Sequence, residues 1–476
     1  MNEATSLADG LLTLEWLFIS YFILVNGGYI LLSLLALFSL RRYMSQHSLD
    51  HLPQAYTGFD PPISLLVPAY NEELSIAPSV RSLLQLDYPE YEIIVINDGS
   101  RDATLAELVR EFALHPFPEA YRRSLPCQEI RGIYRSTRHP NLRVIDKLNG
   151  GKADALNAGI NSARYPLFCA VDADSILQRD ALKRVVQPFL EEPRTIAAGG
   201  TIRIANGCEF SGGFLVHVGL PRQLLARLQI IEYLRAFLFG RLGWSPLNAV
   251  LIVSGAFGIF RKNAVIEAGG YRTDTVGEDM ELIVRLHRLY RLRRIPYRIT
   301  YVPDPICWTE APASLKVLRS QRTRWQRGLA ESLTMNLPLL LHPRSGSVGW
   351  IAFPFFIAFE LIGPIIEVLG YLTMFFGLLF GLFSWAAFQT FMFIALNFGI
   401  LLSVTALMLE EISFRLYPKS KHLSQLLVAA IVENFGYRQL VALWRLQGML
   451  RWLFGMRQQW GIMTRTSTLR DDKAAP

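Results

Sequence analysis

Two carboxylates follow a short apolar run, at a spacing that suits a metal cation. The run LFCAV (167–171) ends at Asp172-Ala173-Asp174, so two aspartates flank one small residue in a turn. Carboxylate oxygens are preferred ligands of Mg²⁺ and Mn²⁺, and Mg²⁺ usually keeps substrate phosphates in its shell. A solvated turn with two acids is the common alternative. Because an apolar strand leads into this turn, we favour a site for Mg²⁺ or Mn²⁺ at Asp172 and Asp174.

A glycine pair precedes a predicted helix at Gly150-Gly151-Lys152. Glycines before a helix N-terminus let backbone N–H groups approach an anion, and the lysine adds a positive charge. A Walker A loop is excluded, because position 146 is Asp instead of Gly and position 153 is Ala instead of Ser or Thr. Two interpretations remain: an anion site that includes Lys152, or a glycine turn that caps the helix.

A third acidic group stands at the start of a predicted helix, in Gly277-Glu278-Asp279 before 280–289. A carboxylate at a helix start is often a capping residue that the helix dipole stabilises. The functional alternative is a general base that takes a proton from an attacking hydroxyl. We therefore treat Asp279 as a candidate base.

A basic amphipathic helix is predicted at 314–333 and carries the sequence QRTRW (321–325). Much of its charge can face lipid headgroups. Arginine also binds phosphate in a bidentate manner, and tryptophan offers a flat surface to a sugar. Both interpretations remain open at Gln321, Arg324 and Trp325.

The elements that must position these residues alternate between apolar strands and helices. Strands are predicted at 63–67, 91–96, 142–145 and 167–171, and helices at 73–86, 104–112, 151–163 and 179–190. This alternation predicts a parallel, doubly wound α/β sheet, in which ligands bind beyond the carboxyl ends of the strands. Glu72, Asp98 and Asp172 fall at such ends. The polar stretch 115–139 is predicted to be a surface insertion.

The composition indicates a membrane protein. Hydrophobic residues make up 51% of the chain and charged residues 18%, against about 25% charged in soluble domains. Residues 16–40 carry no charge and would form a helix about 37 Å long, enough to cross a bilayer. Arg41 and Arg42 follow, which places the next segment in the cytoplasm. Four cysteines without paired spacing argue against a disulfide framework or a zinc site.

A second apolar block, 345–409, contains only two charges, Glu360 and Glu367. They could face a cavity within the membrane, or stand near an interface or at a break near Gly363-Pro364. The segment 412–476 has ten Lys and Arg residues against three acids, so we expect it in the cytoplasm and an even number of crossings before it. We predict two crossings, or four if 423–444 also crosses. Aromatic residues between the tail's basic residues suggest lipid headgroups as the partner rather than nucleic acid.

Six motifs in order resemble one family: VPAYNE (67–72), NDGS (97–100), GGKADALN (150–157), DAD (172–174), GED (277–279) and QRTRW (321–325). Together they resemble membrane-bound, processive family 2 glycosyltransferases such as cellulose, hyaluronan and poly-N-acetylglucosamine synthases. The resemblance covers 60–335 and the flanking helices. It departs from the family at Asn97, where DDGS is usual, and at GED, where cellulose synthases have TED.

The resemblance implies a GT-A fold, a nucleotide-diphosphate sugar donor, a divalent metal and the following roles. Asp279 would be the catalytic base, and Asp174 with Asp172 would hold the metal. Residues implied for the donor are Tyr70, Glu72, Asp98, Lys152, Asp172, Gln321 and Arg324, and residues implied for the acceptor are Ser254, Gly255, Glu278 and Trp325.

The resemblance implies an inverting, metal-dependent hexosyltransferase that transfers sugar from a nucleotide-diphosphate donor, with a UDP-sugar favoured, to a growing β-linked exopolysaccharide. Its expected parts are an N-terminal membrane helix (1–45), a cytoplasmic GT-A domain (60–335), membrane helices (345–411) and an interfacial tail (412–476) in the inner membrane of a bacterium. Self-association or an export partner would fit so few crossings. Transfer of one sugar to a lipid carrier, and a transporter or receptor with a degenerate nucleotide domain, are the alternatives.

Overall fold

The chain combines one mixed sheet with long apolar helices. The structure is a computed structural model that describes residues 2–47, 60–382 and 384–456. The elements up to the middle of the sheet are α1 (Asn2–His47), β1 (Ile63–Ala69), α2 (Ile76–Leu83), β2 (Tyr91–Asp98), α3 (Thr104–Phe112), β3 (Leu114–Pro116), β4 (Ile130–Ser136), β5 (Leu142–Lys147), α4 (Lys152–Ser162) and β6 (Leu167–Val171).

The next elements complete the sheet and add a separate two-stranded one. They are β7 (Ile176–Leu177), α5 (Ala181–Glu191), β8 (Thr195–Ile204), β9 (Glu209–Ser211), β10 (Phe214–His217), α6 (Leu224–Leu234), β11 (Phe257–Arg261), α7 (Lys262–Glu267), α8 (Glu278–Leu292), β12 (Arg298–Thr309) and α9 (Leu315–Met335). β9 and β10 form the two-stranded sheet. The C-terminal helices are α10 (Phe353–Phe355), α11 (Gly363–Leu379), α12 (Trp385–Ser413), α13 (Ser420–Val432) and α14 (Tyr437–Leu453).

Ten of the described strands form one sheet in the order β3-β4-β5-β2-β1-β6-β11-β8-β12-β7. The four strands predicted from apolar runs are present, and β5, β2, β1 and β6 pair in parallel as expected. The prediction of a parallel sheet holds for these four strands, but the sheet as a whole is mixed. β4 is antiparallel to β5, β11 to both β6 and β8, and β7 to β12, because these strands enter the sheet from the opposite end.

The polar stretch 115–139 is more than a surface insertion. It contains β4, which extends the sheet beyond β5, with Tyr134 paired to Val144. Only Ile133 and Ser136 of β4 are buried. A strand near a sheet edge can carry charged side chains such as Arg131 and Arg135, and these interrupt the apolar pattern by which a strand is predicted from sequence.

The central strands position the candidate residues because they are buried on both faces. Every residue of β6 and all but one residue each of β1 and β2 are buried. Burying an Ile, Leu or Val side chain contributes roughly 1.5–3 kcal/mol, so these runs anchor the sheet firmly. The carboxyl ends of β1, β2 and β6 therefore present Tyr70, Asp98 and Asp172 along one edge from a rigid base.

Three described helices are long and apolar enough to cross a membrane: Trp16–Ser45, Val348–Leu379 and Trp385–Ser413. Their mean hydropathies are 2.1, 1.9 and 2.2. α13 and α14, which meet at 56°, would together form a fourth candidate. The two long apolar helices after residue 345 agree with the two predicted crossings, and the bent pair corresponds to the alternative at 423–444. The part of the predicted basic tail from 457 to 476 lies outside the described residues.

The span Val348–Leu379 is broken near its middle. Two π-helical segments, Val348–Ala352 and Phe356–Leu361, precede Pro364. Proline has no backbone N–H, so the carbonyl of Glu360, four residues earlier, loses its helical partner. Gln326 Nε2 (2.9 Å) and Arg445 Nη2 (2.6 Å) donate to this carbonyl instead. α9 and α14 thus supply the hydrogen bonds that the broken span cannot make itself.

Glu360 belongs to the same junction. Its carboxylate is 2.7 Å from Arg445 Nη2 and accepts a hydrogen bond from the Tyr29 hydroxyl of α1. These contacts favour the interpretation in which Glu360 stands at a break in the helix over the one in which it faces a cavity within the membrane. The two interpretations of Glu367 stay predictions.

Candidate active site

The turn after β6 carries the predicted pair of carboxylates. β6 ends at Val171, and the backbone turns so that Ser175 N donates to Asp172 O (3.0 Å). Asp172 N donates in turn to Ala256 O (3.4 Å), just before β11. The turn is therefore fastened to the 254–256 loop, which the sequence analysis assigned to the acceptor.

Lys152 joins these two segments through its side chain. As the first residue of α4, it places Nζ 2.5 Å from Asp172 Oδ1 and donates to Gly255 O (3.0 Å). A side chain at position 255 would interfere, since a Cβ there would lie 3.1 Å from Lys152 Nζ and 3.2 Å from Asp279 Oδ2. Gly255 thus allows a cation and a carboxylate to approach the same backbone segment.

Asp279 also contacts Gly255. Its Oδ2 accepts a hydrogen bond from Gly255 N (2.8 Å), and its Oδ1 accepts one from Met280 N (2.8 Å). Asp279 occupies the first turn of α8, where the helix dipole favours a negative charge. The structure therefore brings Asp172, Lys152, Gly255 and Asp279 into one cluster.

The charges of this cluster influence one another strongly. Burial opposes the charged form of Lys152, but Asp172 and Glu278 outweigh it and raise the pKa of the ammonium group. Burial also raises the pKa of Asp172; Lys152 opposes this rise and Asp174 adds to it. Lys152 is thus held as a cation among carboxylates that are difficult to ionise together.

Glu278, assigned to the acceptor site from the sequence, is buried beside Asp279. Glu278 is 5% exposed. Burial, together with the charge of Asp279, raises the pKa of its carboxyl group to about 7, and the charges of Lys152 and Arg324 oppose this rise. A carboxyl group whose folded-state pKa lies above its usual 4.5 binds more protons when folded. Its ionisation therefore lowers stability as the pH rises from about 4.5 to 7.

We expect Glu278→Gln to stabilise the protein more at pH 8 than at pH 5, because glutamine removes a buried charge that exists only at the higher pH. The expected difference is about 1–3 kcal/mol, measured by unfolding in detergent at both pH values. Glu267→Gln is the control, since Glu267 lies in an exposed pair with Arg293. An equal gain in the free energy of unfolding at both pH values would contradict the raised pKa of Glu278.

The pair Asp172 and Asp174 suits a cation that also binds substrate. Among the described residues, no three His, Cys, Asp or Glu side chains are arranged to hold a metal ion by themselves. Two carboxylates on one turn fit Mg²⁺ or Mn²⁺ if diphosphate oxygens and water complete the shell. The donor set is therefore compatible with the predicted metal.

α9 brings the QRTRW residues to this region. Gln321 and Arg324 are partly buried, whereas Trp325 is 44% exposed. Arg324 is close enough to Glu278 to affect its pKa. Two glycines allow this approach: a Cβ on Gly328 would lie 2.8 Å from the Gly277 Cα, and backbone atoms cannot give way as a flexible side chain can.

Asp98 is held tightly by the glycine loop. Its carboxylate accepts hydrogen bonds from Gly150 N (3.0 Å) and Gly151 N (2.8 Å), and it also contacts Asn149 and Lys147. Gly151 adopts a φ of +87°, a backbone conformation that is favourable only for glycine. The geometry shows that Asp98 orients the loop that leads to Lys152.

Tyr70 and Glu72 follow β1 at the rim of the sheet. Tyr70 is 45% exposed. Glu72 N donates to the Thr104 hydroxyl (2.8 Å), and the Glu72 carboxylate accepts from Ser75. Ser254 lies in the loop before β11, where its hydroxyl accepts from Ala256 N (3.4 Å). Among the contacts described, none of these three residues makes a direct hydrogen bond to Lys152 or Asp279.

The departure at Asn97 has a local explanation. Asn97 Nδ2 donates to Asp146 Oδ1 (2.7 Å), which also pairs with Arg131 (2.7 Å). An aspartate at position 97 would place a second carboxylate against Asp146. Asparagine suits this neighbour because it can donate a hydrogen bond where a carboxylate cannot.

Some residues between β10 and β11 also approach the site, and no sequence motif predicted them. Arg241 lies 3.9 Å from the Phe237 ring centre, and Asp279 contributes to its electrostatic environment. Glu232 of α6 pairs with Arg322 at 2.7 Å. No spacing marks these residues, because Glu232 and Arg322 are 90 positions apart. Only the basic character of α9 could have indicated that an acidic partner was needed.

The sheet, the carboxylate turn after β6 and the attached apolar helices define a GT-A glycosyltransferase joined to candidate membrane spans. Residues 64–264 match the family model for glycosyl transferase family 2, and residues 167–402 match that for glycosyl transferase family group 2. The chain belongs to the family 2 glycosyltransferases. The family resemblance inferred from the six motifs is thereby confirmed.

Curated relatives point to one branch of this family. Poly-β-1,6-N-acetyl-D-glucosamine synthase of Staphylococcus epidermidis is 30% identical over 301 residues, which cover 61% of this chain and 62% of the relative. The synthase of the same name from Staphylococcus aureus (strain COL) is 33% identical over 291 residues, covering 60% and 59%. The matches thus span about three fifths of the length of these relatives.

A solved structure supports the fold. A mannosyltransferase from Pyrobaculum calidifontis, in complex with GDP-Man and Mn²⁺, superposes with a TM-score of 0.51 at 18% identity. The match covers 88% of this chain and 99% of the mannosyltransferase. At this identity the similarity concerns the GT-A fold alone, and it agrees with the fold predicted from the sequence.

Proposed function

We propose that this chain transfers N-acetylglucosamine from a UDP-linked donor onto a growing β-linked polysaccharide, with inversion at the anomeric carbon. The observation that carries the proposal is the cluster in which Gly255 is contacted by both Lys152 and Asp279. It places a cation and a candidate base beside the same backbone residue. The names of the curated relatives support the choice of sugar and of a polymeric product.

The reaction needs one proton transfer and one displacement. The acceptor hydroxyl attacks the anomeric carbon opposite the diphosphate, the new C–O bond forms and the bond to the diphosphate breaks. Asp279 takes the hydroxyl proton, and Gly255 N and Met280 N hold its carboxylate at the start of α8. In-line attack converts an α-linked donor into a β-linkage.

The leaving diphosphate requires positive charge. Lys152 is a cation at the rim of the sheet, and we assign Arg324 and Gln321 of α9 to the same group. A Mg²⁺ or Mn²⁺ ion held by Asp174 and Asp172 would neutralise part of the charge that develops on the diphosphate. This division of roles gives each member of the cluster one electrostatic task.

The two ends of the substrates are assigned to different edges of the cluster. We place the uridine near Tyr70, Glu72 and Asp98, where β1 and β2 end. The acceptor sugar is assigned to Trp325, Ser254, Gly255 and Glu278, since the exposed indole offers a flat surface for a sugar ring.

The function is tested by supplying purified, membrane-reconstituted protein with a panel of nucleotide sugars. Release of the nucleoside diphosphate identifies the donor, and mass and linkage analysis identifies the product. A ladder or a long β-linked polymer made from UDP-N-acetylglucosamine is the expected result. A single addition to a lipid would establish the non-processive alternative, and no transfer from any donor would refute the proposal.

Removal of divalent metal is expected to stop transfer. EDTA should lower the rate at least about 100-fold, and added Mg²⁺ or Mn²⁺ should restore it, because the leaving diphosphate loses its strongest neutralising charge. Asp174→Asn should lower the rate similarly. The control is Asp180→Asn, which affects only a surface pair with Arg184 and should leave the rate unchanged. Undiminished activity in chelator would remove the metal from the mechanism.

We also propose that the catalytic domain faces the cytoplasm of a bacterial cell and that the spans cross its inner membrane. Arg41 and Arg42 at the end of the first span support this orientation, as do the basic residues that follow α12. Cysteine labelling in intact cells tests it: a cysteine introduced at Gly381, between α11 and α12, should react from outside. One at the exposed Arg138 of the catalytic domain should not.

A further inference from the structure

One arginine of the QRTRW segment, Arg322, contacts two neighbouring motif residues at once. Its side chain is 2% exposed. Arg322 Nη1 donates to Gln321 Oε1 (2.6 Å), and its Cζ lies 4.3 Å from the centre of the Trp325 ring. A single guanidinium group therefore contacts a side chain assigned to the diphosphate and one assigned to the acceptor sugar.

Arg322 is itself held from two other helices. Its Nη2 lies 2.7 Å from Glu232 Oε2 of α6. The Tyr437 hydroxyl of α14 donates to the same oxygen (2.9 Å). Burial opposes the charged form of Glu232, yet Arg322 and these hydrogen bonds lower the pKa of its carboxyl group. The orientation of Arg322 thus depends on groups outside the motif.

α14 also fastens the other turns of α9. Arg445 Nε donates to Gln326 Oε1 (2.8 Å), and the Thr323 hydroxyl donates to Trp444 O (3.4 Å). A Cβ on Gly448 would lie 2.4 Å from Thr323 O, so the two helices meet at backbone distance. α14 lies beyond residue 402, where the family match ends, and the comparisons assign it no role.

Stability alone is a poor explanation for this arrangement. A buried ion pair costs much desolvation energy and is often no more stable than apolar residues of similar size. The Arg322 Nε, moreover, has no hydrogen-bond partner among the described residues although it is buried. What the pair does supply is a fixed planar group beneath Trp325 and beside Gln321.

We propose that Arg322 is a positioning residue for sugar transfer: anchored by Glu232 and Tyr437, it sets the orientation of Gln321 and Trp325. The inference rests on the proposed function and adds to it that α6 and α14 take part in building the acceptor side of the site. Arg322 acts through its neighbours and is not assigned a contact with substrate.

The test is Arg322→Lys. Lysine keeps a positive charge for Glu232 but lacks the flat fork that can stack on Trp325 while donating to Gln321. We expect kcat/KM for an added acceptor oligosaccharide to fall about 10- to 100-fold. The unfolding midpoint should change little, and UDP affinity should fall by a smaller factor, because Lys152 and Arg324 remain to bind the diphosphate. Tyr437→Phe, which removes one hydroxyl, should shift acceptor kinetics in the same direction by a smaller factor and serves if Arg322→Lys does not fold.

A matched control is Arg203→Lys. Arg203 is about as buried as Arg322 and pairs with Glu410 between β8 and α12, at 3% and 2% side-chain exposure. Its described contacts do not include α9. This variant should leave acceptor kinetics within about threefold of the unaltered protein. If Arg322→Lys and Tyr437→Phe had no larger effect than Arg203→Lys, the positioning role would be overturned.

A double-mutant cycle with Trp325→Phe separates positioning from a general structural effect. If Arg322 acts through Trp325, the two losses should be clearly less than multiplicative. Multiplicative losses would overturn the proposal. Failure of the unaltered protein to transfer any sugar would refute the proposed function, whereas normal transfer by Arg322→Lys would refute this inference alone.

Discussion

Asp279→Asn is expected to lower the rate of sugar transfer by about 10³-fold while UDP affinity changes less than about threefold. Asparagine can still accept a hydrogen bond from Gly255 N, so the loop and the start of α8 should keep their places. It cannot take a proton from the acceptor hydroxyl. Release of diphosphate measures turnover, and calorimetric titration with UDP measures binding.

Asp274→Asn is the matched control for this variant. Asp274 lies in the loop just before α8 and forms an exposed pair with Arg272. It should retain nearly full activity. An equal loss of binding and turnover in Asp279→Asn would instead indicate that Asp279 supports donor binding, and the role of general base would have to be abandoned.

Lys152→Met is expected to reduce kcat by about 10²- to 10³-fold and also to weaken donor binding. Methionine keeps an unbranched side chain but removes the cation between Asp172 and Gly255 O. The uncompensated carboxylates would then repel an incoming diphosphate, and a major source of positive charge for the leaving group would be lost. Initial rates at varied donor concentrations separate the two effects.

Lys183→Met provides the comparison, since Lys183 pairs with Asp87 on an exposed surface of the domain. It should behave like the unaltered protein. Lys152→Arg should lose less kcat and donor affinity than Lys152→Met if only the positive charge at this position matters. Wild-type donor affinity and turnover in Lys152→Met would show that Lys152 only caps α4 and holds the 255 loop.

The central strands could be predicted because parallel strands buried on both faces appear as uninterrupted apolar runs. The strand predicted at 167–171 and the helix predicted at 104–112 agree with β6 and α3 at both ends. Strand direction, in contrast, leaves no local signal. Whether Phe257–Arg261 runs parallel or antiparallel to β6 depends on the path of the 205–256 segment, which sequence periodicity does not encode.

The core of the candidate site was also predictable, because residue type and position after a strand or before a helix limit the chemistry. Asp172, Lys152 and Asp279 were each ambiguous alone, and the fold places them around Gly255. Contacts such as Glu232 with Arg322 could not be predicted in the same way. Their partners come from distant helices, and the pairing exists only after tertiary packing.

The break before Pro364 has a consequence for the order in which the protein is made. The carbonyl of Glu360 depends on hydrogen bonds from Gln326, which precedes it in the chain, and from Arg445, which follows about 85 residues later. During synthesis from the N-terminus, the segment 348–361 therefore leaves the ribosome before one of its two donors exists. The bend in this span can reach its final form only after the last described helix has been translated and has folded back against α9.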